Sequence, residues 1–317
     1  MHHCLLILCC SHLASSVSLQ DLKTISNQIR DNETAVLSQF PRILTTAFSG
    51  RLGNIMFEFA SGLGIALDQN TTYIFVERLD RNIQALFTPF PHLADLFPII
   101  SLQTSHLLNF SWVHFDRGSS YETQMLLILS QKRGHILLDG CLQSWKYFEN
   151  HKSLIRSLFA FSPQLRSSCM HYLHNISAGR PVVGIHIRRG DYMGEWSVNH
   201  GFLRPNQTYY DRAMMYFKER LFAPLFLVIA ENVNEVRSEI FNHTDVIFHS
   251  MGTAEGDMCL ASLCDHMILS VGSYSWWCGY FNRGEVVYYG KAARKSSRFD
   301  WMLTNTDFFF PWWIDLS

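Results

Sequence analysis

Short apolar runs rich in β-branched residues recur along the chain: RILTTAF (42–48), TTYIFVE (71–77), HILLDG (135–140), PVVGIHI (181–187), LFLVIAE (225–231), DVIFH (245–249), HMILSVG (266–272) and EVVYY (285–289). Runs of this length, bounded by Gly, Pro, Asn or Asp, read as buried strands. Between many of them lie stretches of helical spacing, 54–68 and 207–221 among them. In the first, Met56, Phe59, Ala60, Leu63 and Leu67 form one apolar stripe. Strand and helix alternating in this way predict an α/β fold with parallel sheets. Residues 88–134, with Pro89, Pro91 and Pro98, break the rhythm and read as an irregular excursion. NISAGRP (175–181) has the composition of a linker. The expected organisation is therefore two lobes, 40–178 and 181–317, with the aromatic tail FFFPWWIDL packing back.

Composition narrows the partners. At 317 residues and 48% apolar the chain can fill two cores. A net charge of −1 with 17% charged residues leaves no broad basic face for nucleic acid or an anionic membrane surface. Any anion that binds should be small and met by local residues.

Residues 1–20 carry no Asp, Glu, Lys or Arg and hold an apolar run from Cys4 to Cys10, too short to span a bilayer. They read as a signal- or anchor-like leader, or equally as a buried N-terminal strand. Asn-x-Ser/Thr occurs at Asn32, Asn70, Asn109, Asn175, Asn206 and Asn242. Such density favours a secretory-pathway lumen. Five cysteines lie in the body (Cys141, Cys169, Cys259, Cys264, Cys278), with no C-x-x-C and hence no zinc-type spacing.

The chemistry gathers in three places. In GIHIRRGDY, strand alternation puts His186 and Arg188 on one face, with Ile185, Ile187 and Arg189 on the other. Residues at the carboxyl end of a parallel strand line the ligand crevice of open α/β sheets. Arg188, leaving the strand there, can grip phosphate oxygens with two parallel bonds, which lysine does not reproduce. Arg189 would sooner pair with Asp191 or Asp257. A pair of structural ion pairs is the plainer alternative. RGD as an adhesion tripeptide is disfavoured because it directly follows a buried run.

The second place is SGRLGNIMFEFASGLGIA (49–66), a strand-to-helix loop in which Gly50 and Gly53 permit a tight turn and close approach to an anion at the helix start. It is neither a P-loop nor G-x-G-x-x-G. The third is GDMCLASLCDHMILSVGSYSWWCGYF (256–281). There Ser273 and Ser275 open a helix, and Asp257 could accept from the paired N–H donors of guanine. Ordinary turns, a helix cap at Asp257 and core packing of Trp276 and Trp277 account for the same residues.

Taken together, GRLGN with MFEFA (50–60), GCLQSWKYF (140–148), GIHIRRGDY (184–192) and GDMCLASLCDHMILSVGSYSWW (256–277) resemble the α-1,2-fucosyltransferase family, over about residues 45–300. The resemblance implies a GT-B-like fold, two Rossmann-type lobes with parallel sheets facing across a cleft. It implies transfer of L-fucose from GDP-β-L-fucose, with inversion, to the 2-hydroxyl of a terminal galactose on a glycan. The N-terminal lobe would take the acceptor and the C-terminal lobe the donor. By matching position, Arg188 would grip the β-phosphate, with Arg189 beside it. His186 and Asp257 would lie near the guanosine, Ser273 and Ser275 near the diphosphate, and Gly50, Gly53 and Asn54 would meet it from the opposite lobe. The family also implies a Golgi lumenal enzyme on a type II anchor or a secreted form.

Charge building on the GDP oxygens opposite an oxocarbenium-like sugar calls for fixed cations. D-x-D, the usual metal-holding motif of sugar-nucleotide enzymes, is absent from the sequence, so no cofactor or metal is expected. Asp191 and Glu195 are candidate bases, with His200 and Glu58 behind them. Two rivals are a catalytically silent carbohydrate-binding module of the same fold and a sulfotransferase, whose phosphate loop this chain lacks.

Overall fold

The computed structural model describes residues 18–31, 37, 40–76, 83–97, 99–189, 194–230, 232–233, 236–237 and 245–317. Most of the leader, Asn32, Asn242 and Asp191 lie outside them. The chain forms two compact units that divide between Ala160 and Phe161.

The first unit opens with helix α1 (Leu19–Asp31), then strand β1 (Ile43–Thr46) and helix α2 (Leu52–Asp68), followed by β2 (Thr72–Tyr73), β3 (Phe75–Val76), β4 (Ile99–Ile100), β5 (Ser111–His114) and β6 (Ile136–Asp139). β2, β1, β6 and β5 make one parallel sheet in that order, and β3 pairs with β4 apart from it. α2 is buried almost all round rather than along one stripe. Phe59 on it packs against Tyr73, Phe75, Phe97 and Phe159 with ring centres 5.2–5.8 Å apart. Each such contact adds about 0.5–1.5 kcal/mol beyond the buried area.

Two expectations change here. The run 71–77 is not one strand: it passes from the larger sheet to the smaller at Ile74, whose N–H donates to Leu44 O at 3.1 Å. Tyr73, Ile74, Phe75 and Val76 are all buried, so the period-two pattern carries no mark of the switch. Residues 88–134, expected to be irregular, supply β4 and β5. In β5 only Val113 is buried, as suits an edge strand with little apolar signal.

The second unit begins with helix α3 (Pro163–Ser177), capped by Ser162 Oγ accepting from Leu165 N at 3.2 Å. Then come β7 (Val182–Ile187), α4 (Glu195–His200), α5 (Gln207–Lys218), β8 (Leu225–Ala230), β9 (Val246–His249), α6 (Ala254–Leu263), β10 (His266–Leu269), α7 (Ser273–Phe281), β11 (Val286–Tyr288) and β12 (Ile314–Asp315). Six parallel strands run in the order β12-β11-β10-β7-β8-β9. Val183, Ile185 and Ile187 pack on Tyr209, Tyr210, Ala213 and Phe217 of α5. Burial of each such aliphatic side chain contributes roughly 1.5–3 kcal/mol.

The division between units falls earlier than the expected linker. α3 belongs to the second unit, where buried Cys169 donates from Sγ to Gly256 O of α6 at 3.8 Å. NISAGRP is that helix's end: Ala178 and Gly179 adopt φ of 47° and 81°, a left-handed stop that leads straight into β7. Linker-like composition and a helix stop use the same residue types. The tail adds a strand, Ile314 and Asp315 pairing with Val287 and Tyr288. Trp276 is core, donating from Nε1 to Phe308 O at 2.6 Å and stacking on Tyr280 and Phe310. All five body cysteines are free thiols, and four of them are buried.

Candidate active site

From β7 the chain of the second unit steps outward through β8 to β9, then returns to the other side of β7 to lay down β10 and β11. The carboxyl ends of β7 and β10 therefore border the point where strand order reverses, the place at which open α/β sheets bind ligands. The two ends are stitched together. Ser270 Oγ accepts from Arg188 N at 2.9 Å, and Ser270 N donates to His186 O at 3.2 Å.

Alternation along β7 sorts the side chains as the sequence predicts. His186 lies toward α7, its ring 5.0 Å from that of Tyr274, and the Arg188 charge acts on both of them. Arg189 instead bears on Tyr210 of α5, where its charge offsets part of the upward push that burial exerts on the phenol. The two arginines thus diverge to opposite faces of the sheet. α7 starts at this edge behind Gly272 (φ 90°), with no side chain capping its first amides. His186 and Ser275 are 5% and 1% exposed, yet His186 Nδ1 and Ser275 Oγ have no hydrogen-bond partner. Buried polar atoms are seldom left orphaned, and two at the end of a sheet are suited to a ligand.

Burial, with the Arg188 charge beside it, pulls the His186 imidazole down to about 3, so the ring is neutral at physiological pH. The unfolded chain takes up a proton at this residue near pH 6.5 while the folded chain does not until about pH 3. Stability is thus full above about 6.5 and is lost as pH falls below it, by about 1.4 kcal/mol per pH unit from this residue. His186→Gln is expected to flatten the acid limb by about that slope in denaturant titrations at pH 4, 5 and 6. An unchanged slope would mean that the imidazole titrates normally.

Asp257 sits in the first turn of α6 but is not its cap. Thr253 Oγ1 accepts from Gly256 N at 3.1 Å, while Asp257 accepts from Met251 N at 2.6 Å and Ser250 Oγ at 2.9 Å. The carboxylate shapes the loop after β9, and burial raises its pKa against the pull of those bonds. The Tyr274 hydroxyl donates to Ala254 O, joining the first turns of α6 and α7.

In the first unit, the GRLGN loop leaves the carboxyl end of β1. Gly50 has φ 79°, and a Cβ there would lie 2.4 Å from Asn54 Nδ2, so a side chain at this position would collide with the amide folded over it. Asn54 Oδ1 accepts from Gln143 Nε2 at 3.1 Å. Glu58, fully buried, accepts from Ser49 N at 2.9 Å and Ser49 Oγ at 2.7 Å. Both carboxylate oxygens hold the loop, which is a positioning role. Burial, with Glu58 and Asp139 nearby, pushes the Cys141 thiol up to about 11, so it is inert.

Within the second unit the structure brings His186, Arg188, Ser273 and Ser275 to one edge. It places Asp257 on the adjoining helix turn, turns Arg189 to the other face and leaves Glu195 exposed at the start of α4. Gly50, Gly53 and Asn54 belong to the first unit. Tyr274, Ser270 and Gln143 are the contributors sequence reasoning passed over. Tyr274 stands between the two serines already singled out, but only the fold shows that it faces His186.

Two parallel α/β units, the second with an arginine and a helix start at its sheet switch point, define a GT-B-like glycosyltransferase architecture. The chain belongs to glycosyl transferase family 11, which matches residues 16–317. It is 26% identical to the galactoside 2-α-L-fucosyltransferase SEC1 of Bos taurus over 88% of this chain and 76% of that protein. It is also 26% identical to the galactoside α-(1,2)-fucosyltransferase 1 of Bos taurus, over 84% of this chain and 74% of the relative. Among solved structures, a mutant of Arabidopsis thaliana FUT1 in complex with GDP superposes with a TM-score of 0.54. It covers 88% of this chain and 82% of its own at 13% identity, a likeness of fold.

Proposed function

We propose that this protein is a galactoside α-1,2-fucosyltransferase that moves L-fucose from GDP-β-L-fucose to the 2-hydroxyl of a terminal galactose, with inversion and without a metal. Relatives in its family are named galactoside α-1,2-fucosyltransferases, which supports the linkage and the galactoside acceptor. The observation that carries the reading is the β7–β10 edge, where Arg188 stands beside the neutral, orphaned His186 and the unpartnered hydroxyl of Ser275. Arg188 takes two oxygens of the β-phosphate. The first amides of α7, with Ser273 and Ser275, donate to the diphosphate, so the charge that builds on departing GDP meets donors already in place. His186, with one ring nitrogen a donor and one an acceptor, serves the guanosine, and Asp257 keeps lone pairs beyond its two loop bonds for guanine N–H groups. Arg189 adds a positive field from the opposite face. In the first unit, the loop of Gly50, Gly53 and Asn54 presents a helix start whose amides suit an anion.

Because the sugar carries positive charge in the transition state, the acceptor hydroxyl needs modest help, which Glu195 or Asp191 would give. Residues Asn70, Asn109, Asn175 and Asn206 are all exposed, which supports glycosylation and a place in the Golgi lumen, anchored or secreted. Among the described residues no helix is long and apolar enough to cross a membrane.

The test is transfer of labelled fucose from GDP-fucose to a galactoside panel in EDTA. Transfer at an undiminished rate is the expected result. Loss of transfer that Mg²⁺ or Mn²⁺ restores would overturn the metal-independent mechanism. GDP and galactoside binding with no turnover would identify a silent carbohydrate-binding module, and failure to bind GDP would overturn the donor assignment.

A further inference from the structure

α4 and the short helix Arg298–Met302 after β11 build an aromatic shelf of stacked and tilted rings that the chemistry above does not use. The Trp196 indole, 65% exposed, stacks on the His200 ring at 3.9 Å and 24°, one helical turn away. Phe202 continues the surface at 5.8 Å from Trp196 and lies flat on Phe299 at 3.8 Å and 17°. Beside it Arg298 covers Trp301 at 4.3 Å, and Trp301 is itself exposed.

The shelf is held rigidly. Phe202 bridges Ala293 in antiparallel fashion, Leu203 N donates to Ala292 O at 2.8 Å, and Arg294 N donates to Gly201 O at 2.7 Å. Gly201 has φ 89°, and a Cβ there would lie 2.2 Å from that of Ser297, so two chain segments meet where only glycine fits. His200 Nδ1 lies 2.8 Å from Trp196 O. Bonding to that carbonyl makes Nδ1 the donor and leaves Nε2 an acceptor at the edge of the shelf.

The indole keeps 65% of its surface in water beside three further rings, and contiguous aromatic surface open to solvent is suited to a ligand. The surroundings say for what. Glu195, Asn199 and Arg298, all exposed, lie on the segments that carry the stacked rings, pairing an apolar surface with hydrogen-bonding edges. A pyranose has the same two parts: C–H bonds on one face and hydroxyls around its rim. Galactose suits it especially, since its axial 4-hydroxyl leaves the C3, C4 and C5 hydrogens together on the opposite face. The shelf's two segments leave the sheet at the carboxyl ends of β7 and β11, which flank β10, and β10 runs into the Ser270–Ser273 turn of the donor edge. The shelf is thus built on segments that follow the two strands flanking the donor strand.

We propose that Trp196, with His200 and Phe202, forms a carbohydrate subsite that stacks the galactopyranose ring of the acceptor, on the second unit rather than on the N-terminal lobe that the family resemblance implies; the assignment rests on the transferase reading given above. Loss of the stack should raise the acceptor KM about tenfold, the factor that about 1.4 kcal/mol supplies. For Trp196→Ala the expected result is that rise against N-acetyllactosamine, with the KM for GDP-fucose and the thermal midpoint unchanged. Trp196→Phe should recover most of the loss, which a merely structural residue would not show. An acceptor KM within twofold of wild type in an active Trp196→Ala enzyme would overturn the subsite and leave the transferase reading standing. Should the wild-type protein transfer no fucose, saturation-transfer NMR with methyl β-galactoside decides the subsite separately. Contact of H3, H4 and H5 with the wild-type protein, absent in Trp196→Ala, supports it, and equal signals or none in both proteins overturn it.

Discussion

Replacing Arg188 by alanine is expected to reduce fucosyl transfer by about 10²–10³-fold at saturating acceptor, the loss that follows removal of one donor aimed at developing charge. Its backbone is fixed by the bond from Arg188 N to Ser270 Oγ, so the guanidinium departs from a defined point at the sheet edge. Arg188→Lys retains the charge but not the planar two-pronged geometry and should recover only part of the rate. The deficit should appear mainly in kcat and in the affinity for GDP, because the contact strengthens as charge accumulates on the leaving diphosphate. Single-turnover assays with labelled GDP-fucose, together with GDP titration, measure both. A rate within threefold of wild type for Arg188→Ala would move the diphosphate away from this edge.

Gly64→Ala is expected to cost about 2–4 kcal/mol of stability, the upper part of the range for overpacking at a site that cannot relax. Alanine in a helix is intrinsically favoured over glycine by about 1 kcal/mol, so propensity alone predicts the opposite sign. Contact decides instead. A Cβ at Gly64 would lie 2.2 Å from Tyr147 O and 2.9 Å from Phe148 Cα, which are backbone atoms with no rotamer to change. The same seam holds Ser61 Oγ donating to Leu142 O at 2.8 Å and the bond between Asn54 and Gln143. The stretches GRLGN-MFEFA and GCLQSWKYF, far apart in the chain, are therefore the two sides of one packed joint. Thermal unfolding should show a midpoint lower by about 5–10 °C. A shift below 2 °C would mean that α2 and residues 147–148 can separate freely.

Much of this molecule is legible before any coordinates are seen. The apolar runs at 181–187 and 225–231 become β7 and β8 nearly residue for residue, because strands buried on both faces are continuously apolar and bounded by turn residues. The assignment of His186 and Arg188 to one face and Arg189 to the other follows from the period of two, and the structure repeats it. Asp191 stays with the sequence alone, since it lies outside the described residues. Other features failed to show for identifiable reasons. Glu58 reads as a free acid on a helix until the fold closes Ser49 onto both of its oxygens. Asp257 reads as a cap until Thr253 takes that place. Trp196 is an ordinary aromatic in the sequence, and nothing local reveals that its face is left open.

What the sequence by itself determined is the set of elements, their parallel pairing class and the residue types that meet an anion, because periodicity and local chemistry are properties of neighbours along the chain. Only the tertiary structure decided that β10 returns beside β7 and creates the switch point, that Tyr73 and Phe75 serve different sheets, and that α3 belongs to the second unit. It also decided which buried polar atoms were left without partners. Those outcomes depend on contacts between residues distant in sequence, where packing geometry chooses among arrangements that the local pattern permits equally.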